Sequence, residues 1–270
     1  MKQNLFVTTV LLILFFPPLL FAQNNALTFD GTDDYVQIGT SIVPAAGTNY
    51  TIECWFYAED LSSGNQELLS EWNTSSTDGF FLGFNGSTIR FTNGWTATGI
   101  TVTSDSWHHI AAVSVGTTNA YVYVDGVLRA TKGSALSYTD GGNLVIGQQG
   151  NYSGDEYFGG KIDEVRIWDD VRSVDEIRQN MYQELTNPAS ETNLIAYYKI
   201  NSSSGTSLPD SKGSNNGTLN GDMTDSDWQT SPAMFGPKNT MGFDGTDDCI
   251  RVADDNTLDF GFWIRTELYL

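Results

Sequence analysis

The chain reads as an all-β protein, an antiparallel β-sandwich with one short helix packed on it, and three observations carry that reading. Apolar and polar residues alternate with period two in short runs broken by turn signals, as strands with one buried face require. Two dipeptides, Asn85-Gly86 and Asp125-Gly126, each separate two such runs and favour the left-handed torsions of a tight hairpin turn. Lastly, the six residues Phe29 to Asp34 return unchanged at Phe243 to Asp248. Their offset of 214 residues suits a sandwich-sized domain plus a connector better than a short solenoid repeat.

Residues 1–22 have the form of a secretory signal peptide: Lys2, an apolar run from Leu5 to Leu20, and a small residue, Ala22, at the cut. An uncleaved membrane anchor is the rival reading, against which stand Pro17-Pro18 and the Ala22-Gln23 junction. Secretion or display at the cell surface is therefore expected, with residues 23–235 as one domain. Residues 236–270 then comprise a linker and the opening of a second copy, because a stretch of about thirty residues cannot close a sandwich that needs roughly a hundred.

Taken in order, Ile52, Cys54 and Phe56 share one strand face, with Glu53, Trp55 and Tyr57 on the other. Phe80–Phe84 and Ser87–Phe91 form one hairpin, and Tyr121–Val124 with Val127–Ala130 form another. His109, Ala111, Val113 and Val115 alternate as a further strand, followed by Leu144–Ile146, Ile162–Trp168 and Leu194–Ile200. Ser173 with Glu176 is a capping box, and Val174, Ile177 and Met181 make one apolar stripe, so a helix is expected along the sandwich edge. Residues 202–227 are rich in Ser, Gly, Asn and Asp and weakly patterned.

A net charge of −20, from 13 Lys and Arg against 33 Asp and Glu, repels phosphate backbones and anionic membranes. Nucleic-acid binding is excluded on that ground, and no segment after residue 22 is apolar for long enough to cross a bilayer. Part of the acidity serves solubility and part can ligate a cation. The two cysteines, Cys54 and Cys249, fall in different copies, and two free thiols are expected.

Asp30, Gly31 and Asp33 lie in a tight turn that can gather oxygens around a hard cation such as calcium. The same residues can instead cap the turn by accepting backbone amides, with Gly31 supplying a positive φ. His108 and His109 have no acid beside them in a nucleophile motif and read as strand residues. Trp72, Trp95 and Tyr152 stand in or beside loops, where an aromatic face can carry a pyranose or merely close the end of a sandwich.

Phe-Asp-Gly-Thr-Asp-Asp-Tyr-Val from Phe29, Trp-His-His-Ile-Ala from Trp107, Tyr-Val-Asp-Gly from Tyr123 and Gly-Lys-Ile-Asp-Glu-Val-Arg-Ile-Trp from Gly160 resemble the landmarks of laminin-G-like jelly-roll domains. These belong to the concanavalin-A-like lectin and glucanase superfamily, and the resemblance runs from about Ala26 to Leu219. It implies a jelly roll repeated in tandem in secreted proteins, and it adds Asp163 to Asp30 and Asp33 as a calcium site, since the strand of Asp163 would run near the first strand.

Resemblance to the pentraxin ligand loops implies ligand-binding roles for Asn65, Gln66, Gln149, Asn151 and Glu156, with amides replacing several carboxylates so that calcium binding there is weakened or lost. The cysteine that pairs with the Cys54 position in pentraxins is absent near Ala111, which again leaves Cys54 free. Related glucanases carry Glu-x-Asp-x-Glu on one strand; no Glu-x-Asp occurs here, and the adjacent pairs Asp155-Glu156 and Asp163-Glu164 would point to opposite faces. The expected function is non-catalytic binding or adhesion toward glycans or glycoproteins. An accessory domain of a polysaccharide-degrading enzyme, an architectural spacer and, last, a glycosidase in its own right remain the alternatives.

Overall fold

The computed structural model describes residues 24–62, 64–72, 79–92, 96–139, 141–150 and 156–232. Its strands in chain order are β1 (Asn25–Asp30), β2 (Tyr35–Ile38), β3 (Tyr50–Ala58), β4 (Asn65–Glu71), β5 (Phe80–Asn85), β6 (Thr88–Phe91), β7 (Thr96–Thr101) and β8 (Trp107–Val115). There follow β9 (Asn119–Val124), β10 (Val127–Lys132), β11 (Leu144–Ile146), β12 (Gly159–Trp168), helix α1 (Val174–Asn180), β13 (Leu194–Tyr198), β14 (Ser207–Leu208), β15 (Gly217–Asn220) and β16 (Trp228–Thr230). Two antiparallel sheets result, one ordered β10-β9-β8-β3-β12-β1-β16 with β13 also paired to β12, the other β14-β15-β2-β11-β4-β5-β6-β7.

Alternation explains the core. Ile52, Cys54 and Phe56 of β3 face Leu82 and Phe84 of β5 and Ile89 and Phe91 of β6 in one apolar cluster between the sheets. At Asp125-Gly126 both residues have positive φ, 51° and 69°, and Val124 pairs with Val127, as the dipeptide predicts. The other hairpin slips by one residue: Asn85 ends β5 opposite Thr88, so Gly86-Ser87 is the loop and Gly86 carries the positive φ of 56°.

The helix forms as its capping box dictates, with Ser173 at the N-cap and Glu176 reaching back to it. It lies across the outer face of the first sheet, not along the edge. Ile177 packs on Ala111 and Val113 of β8, and Met181 joins Trp55, Trp107 and Ala26. The alternating set His109, Ala111, Val113 therefore faces this outer layer and not the space between the sheets. Trp55 Nε1 donates to the Met181 carbonyl over 2.6 Å, tying the layer down.

Residues 202–230, weak in pattern, nevertheless supply β15 on β2 and β16 on β1. This segment thus flanks β1 in one sheet and β2 in the other, and this places Asp222 beside the β1–β2 turn. Among the described residues no helix is long and apolar enough to cross a membrane.

Candidate functional site

At one end of the sandwich a groove of about 530 Å³ opens between the end of β1, the end of β3, the start of β4 and residues 156–159. Its polar lining includes Asp30, Glu59, Asp60, Asn65, Gln66 and Glu156, with Tyr157 as the aromatic member. Three residues expected to bind ligand on the strength of their resemblance to ligand loops, Asn65, Gln66 and Glu156, are brought together here. Asn65 and Gln66 begin a strand instead of lying in a loop, because Leu68, Leu69 and Ser70 beyond them are buried in the second sheet.

The mouth is held by an Arg-carboxylate network. Arg90 Nη1 lies 2.7 Å from Glu67 Oε1 and 3.1 Å from Glu156 Oε2, while its guanidinium sits 4.6 Å over the Phe81 ring. Asn65 Nδ2 donates to Glu156 Oε1 over 2.7 Å, and Asn65 Oδ1 accepts from Asn85 Nδ2 over 2.7 Å. Burial drives the Glu67 carboxyl well above the usual range; Arg90 opposes it, and the hydrogen bond to Glu156 adds to it. Glu156 moves the other way: burial raises it, but Asn65, Glu67 and Arg90 together hold it low. Neither Glu67 nor Arg90 stands out in sequence, because a lone Glu on a strand and a lone Arg four residues past a glycine carry no spacing signal.

The remaining expected ligand residues scatter. Gln149 is buried and does not line the groove. Trp72 is half-buried and packs edge-on against Phe81, ring centroids 5.0 Å apart. Trp95, Asn151 and Tyr152 lie outside the described residues, as does Cys249. Cys54 is free and fully buried, and burial pushes its thiol far above the usual range, with Glu53 and Asp163 adding to the effect.

The acidic turn holds only part of its expected cation site. Carboxylate oxygens of Asp30, Asp33 and Asp222 lie within 4.8 Å of one another, all exposed. Asp163 is not among them: β1 and β12 run antiparallel with Asp30 opposite Gly159, so Asp163 lies four residues further along, roughly 13 Å away at ~3.3 Å per residue. It is buried instead, accepting from Asn24 Nδ2 over 3.1 Å.

Asp222 takes its place because Gly221 (φ 82°) packs so tightly on the turn that a Cβ would meet the Asp33 carbonyl at 2.3 Å. Asp30 Oδ1 also accepts the Thr32 and Asp33 amides over 2.7 and 3.2 Å, so the capping role is filled as well. Those amides outweigh the upward push of burial and lower the Asp30 carboxyl. Burial lifts Asp34, which accepts from the Asp30 amide, to about 6, with Asp30, Asp227 and Asp222 adding to the rise.

Asp163 and Glu164 do not point to opposite faces. A β-bulge sets Glu164 (φ 54°) and Val165 against Cys54, which turns both carboxylates to the outer layer. Both are buried and neither lines the groove. The histidines diverge too. His109 is buried edge-on to Trp55, and burial drops its imidazole to about 3. His108, half-exposed near the start of β8, has its Nδ1 2.8 Å from Asp125 Oδ2, so an acid does stand beside it, supplied by the hairpin turn.

Two antiparallel sheets with a polar groove at the strand ends define a lectin-like β-sandwich. Residues 30–178 match the laminin-G-type family described as the concanavalin A-like lectin/glucanases superfamily, and the chain belongs to it. No protein of curated function matches the chain. Among solved structures, a candidate carbohydrate binding protein from Bacteroides ovatus aligns at 23% identity and a TM-score of 0.56, over 74% of this chain and 59% of that one. The chain thus spans little more than half of that protein, and the likeness shows a shared fold.

Two further structures are similar at lower scores. Domain 4 of an extracellular arabinanase from Geobacillus stearothermophilus, in complex with arabinotriose, has 17% identity and a TM-score of 0.47 over 57% of this chain and 75% of that one. A heptameric pentraxin from Limulus polyphemus has 16% identity and a TM-score of 0.42 over 59% of this chain and 82% of that one.

Proposed function

We propose that the chain is an extracellular glycan-binding module that does not cleave glycosidic bonds. The observation that carries this reading is the groove: amides of Asn65 and Gln66 and carboxylates of Asp30, Glu59, Asp60 and Glu156 converge there as donors and acceptors, with Tyr157 offering an apolar face. Such a set suits the hydroxyl rim and apolar face of a sugar. A carbohydrate-binding description of the Bacteroides ovatus protein agrees with it. Hydrolysis is disfavoured because Glu67, whose carboxyl burial raises well above the usual range, is 0% exposed beneath Arg90 and cannot reach a leaving oxygen in the groove.

Attachment to a polysaccharide-degrading enzyme is the natural setting, since a binding module concentrates such an enzyme on its substrate. Export through residues 1–22 and a second copy from about Met241 belong to the same reading. A calcium ion at Asp30, Asp33 and Asp222 is its structural complement, pinning the C-terminal segment to the first turn. The test is calorimetric titration of residues 23–235 with neutral and acidic oligosaccharides, read beside reducing-end release. Saturable binding without release is expected, whereas no binding across the panel sinks the glycan reading in favour of a spacer.

A further inference from the structure

The loop before β8 and the turn after β9 meet at His108. Asp125 Oδ2 lies 2.8 Å from His108 Nδ1, and Asp125 Oδ1 accepts the His109 amide over 2.9 Å, so the carboxylate is fixed at both oxygens. With Nδ1–H donated to Asp125, His108 Nε2 is left as an acceptor. Ser106 Oγ and Thr103 Oγ1 each stand 2.9 Å from that nitrogen, and 2.9 Å from each other. A hydroxyl, an imidazole held in one tautomer and an orienting carboxylate are the three parts of an activated nucleophile.

The placement is open. The side chains of His108 and Asp125 are 15% and 34% exposed, and Ser106 is half-exposed. Asp105, just before Ser106, has a left-handed φ of 58° and donates its amide to the Ala58 carbonyl over 2.8 Å. That bond anchors the nucleophile's loop one residue from Glu59, which lines the groove. Sequence gave no sign of it, because Asp125 reads as a turn residue and Ser106 to His108 is only an i, i+2 pair.

We propose that Ser106, His108 and Asp125 form a nucleophilic relay where the loop before β8 meets the β9–β10 turn, and that it takes an acyl group from a carboxylic ester and passes it to water. Nε2 accepts the Ser106 proton as the Oγ–acyl bond forms, and the imidazolium is held by Asp125. The ester C–O bond breaks, and the departing alkoxide takes the proton from Nε2. Water then attacks the acyl-serine and gives a proton to Nε2; the acid leaves as the Oγ–acyl bond breaks, and Oγ recovers the proton.

The probes are 4-nitrophenyl acetate and a fluorophosphonate, so the outcome does not depend on the glycan reading. Hydrolysis is expected to fall about 100-fold in Ser106→Ala, the scale of a general-base contribution, and to persist in Ser104→Ala. Phosphonylation mapped by mass spectrometry should fall on Ser106 of the unaltered protein and vanish in His108→Gln, whose folding is checked by its melting curve. Unchanged hydrolysis in Ser106→Ala, no label, or a label on Thr103 or elsewhere overturns the assignment, and the mapping decides it even if a variant fails to fold.

Discussion

Arg166 Nη2 lies 2.6 Å from Glu164 Oε2 with both side chains 1% exposed, a fully buried ion pair within β12 beneath the layer outside the first sheet. The same guanidinium donates to the Asn180 carbonyl over 2.9 Å and the Gln183 carbonyl over 2.7 Å, just past the helix. Glu164 carries the β-bulge, so one pair joins the sheet's irregularity to the helix's end. Arg166→Met leaves Glu164 and Glu53 without their cation and should cost about 3–5 kcal/mol. Urea unfolding reads this directly, and a loss under 1 kcal/mol would mean that apolar packing alone holds the layer.

The acidic turn should give stability a distinct pH dependence. Asp34 is held at about 6 in the folded protein, above its unfolded value, so its stabilising contribution is complete below about pH 4 and lost as pH rises through 6. Bound calcium reverses this, because a cation among Asp30, Asp33 and Asp222 favours the ionised form. Millimolar calcium should therefore raise the melting temperature at pH 7, by up to about 2.7 kcal/mol of stability at a hundredfold excess over Kd, and a chelator should undo it. In Asp222→Asn the calcium response disappears; in Asp34→Asn the slope between pH 4 and 6 flattens. A melting temperature indifferent to calcium at pH 7 leaves the aspartates as turn caps.

Much of the fold was legible because the strands around the core alternate cleanly. Ile52, Cys54 and Phe56 face inward as their spacing requires, and Ser173 with Glu176 starts the helix. What sequence hides is covering. Period two says that Trp55 and His109 share a face, yet not that a helix lies over it, so the helix reads as an edge element. The candidate site was legible in part for a related reason. Asn65, Gln66 and Glu156 converge, but Asp163 does not join Asp30, since strand register fixes that distance and register is not written in either strand alone. Asp222 was hidden in a polar segment whose pairing partners, β1 and β2, lie nearly two hundred residues earlier.

Cys54 offers a simple probe of the core. It lies between the sheets at 0% exposure, and burial keeps its thiol protonated at any ordinary pH. In a Cys249→Ser background it should not react with a disulfide reagent over hours in buffer, and should titrate fully in guanidinium. Rapid reaction of the native protein would mean that the sheets separate far more readily than this packing implies.

Arg90 and Glu156 allow the two roles of the groove mouth, binding and support, to be separated. Glu67 is buried beside Arg90, with Oε1 as its bonded oxygen, so Arg90→Leu strands a carboxylate out of water and should cost about 3 kcal/mol at pH 8. The folded value of Glu67 is already raised, so protonation relieves that penalty, and the variant should recover ground on the acid side, at pH 5. Glu156 is more exposed, at 22%, and its loss removes a polar contact from the groove and leaves Glu67 its nearer partner. Glu156→Gln should therefore keep its stability and lose about tenfold in glycan affinity, ~1.4 kcal/mol. Denaturation of both variants at the two pH values, beside calorimetry with the tightest oligosaccharide, checks this; equal loss of stability in both would mean that the network only supports the fold.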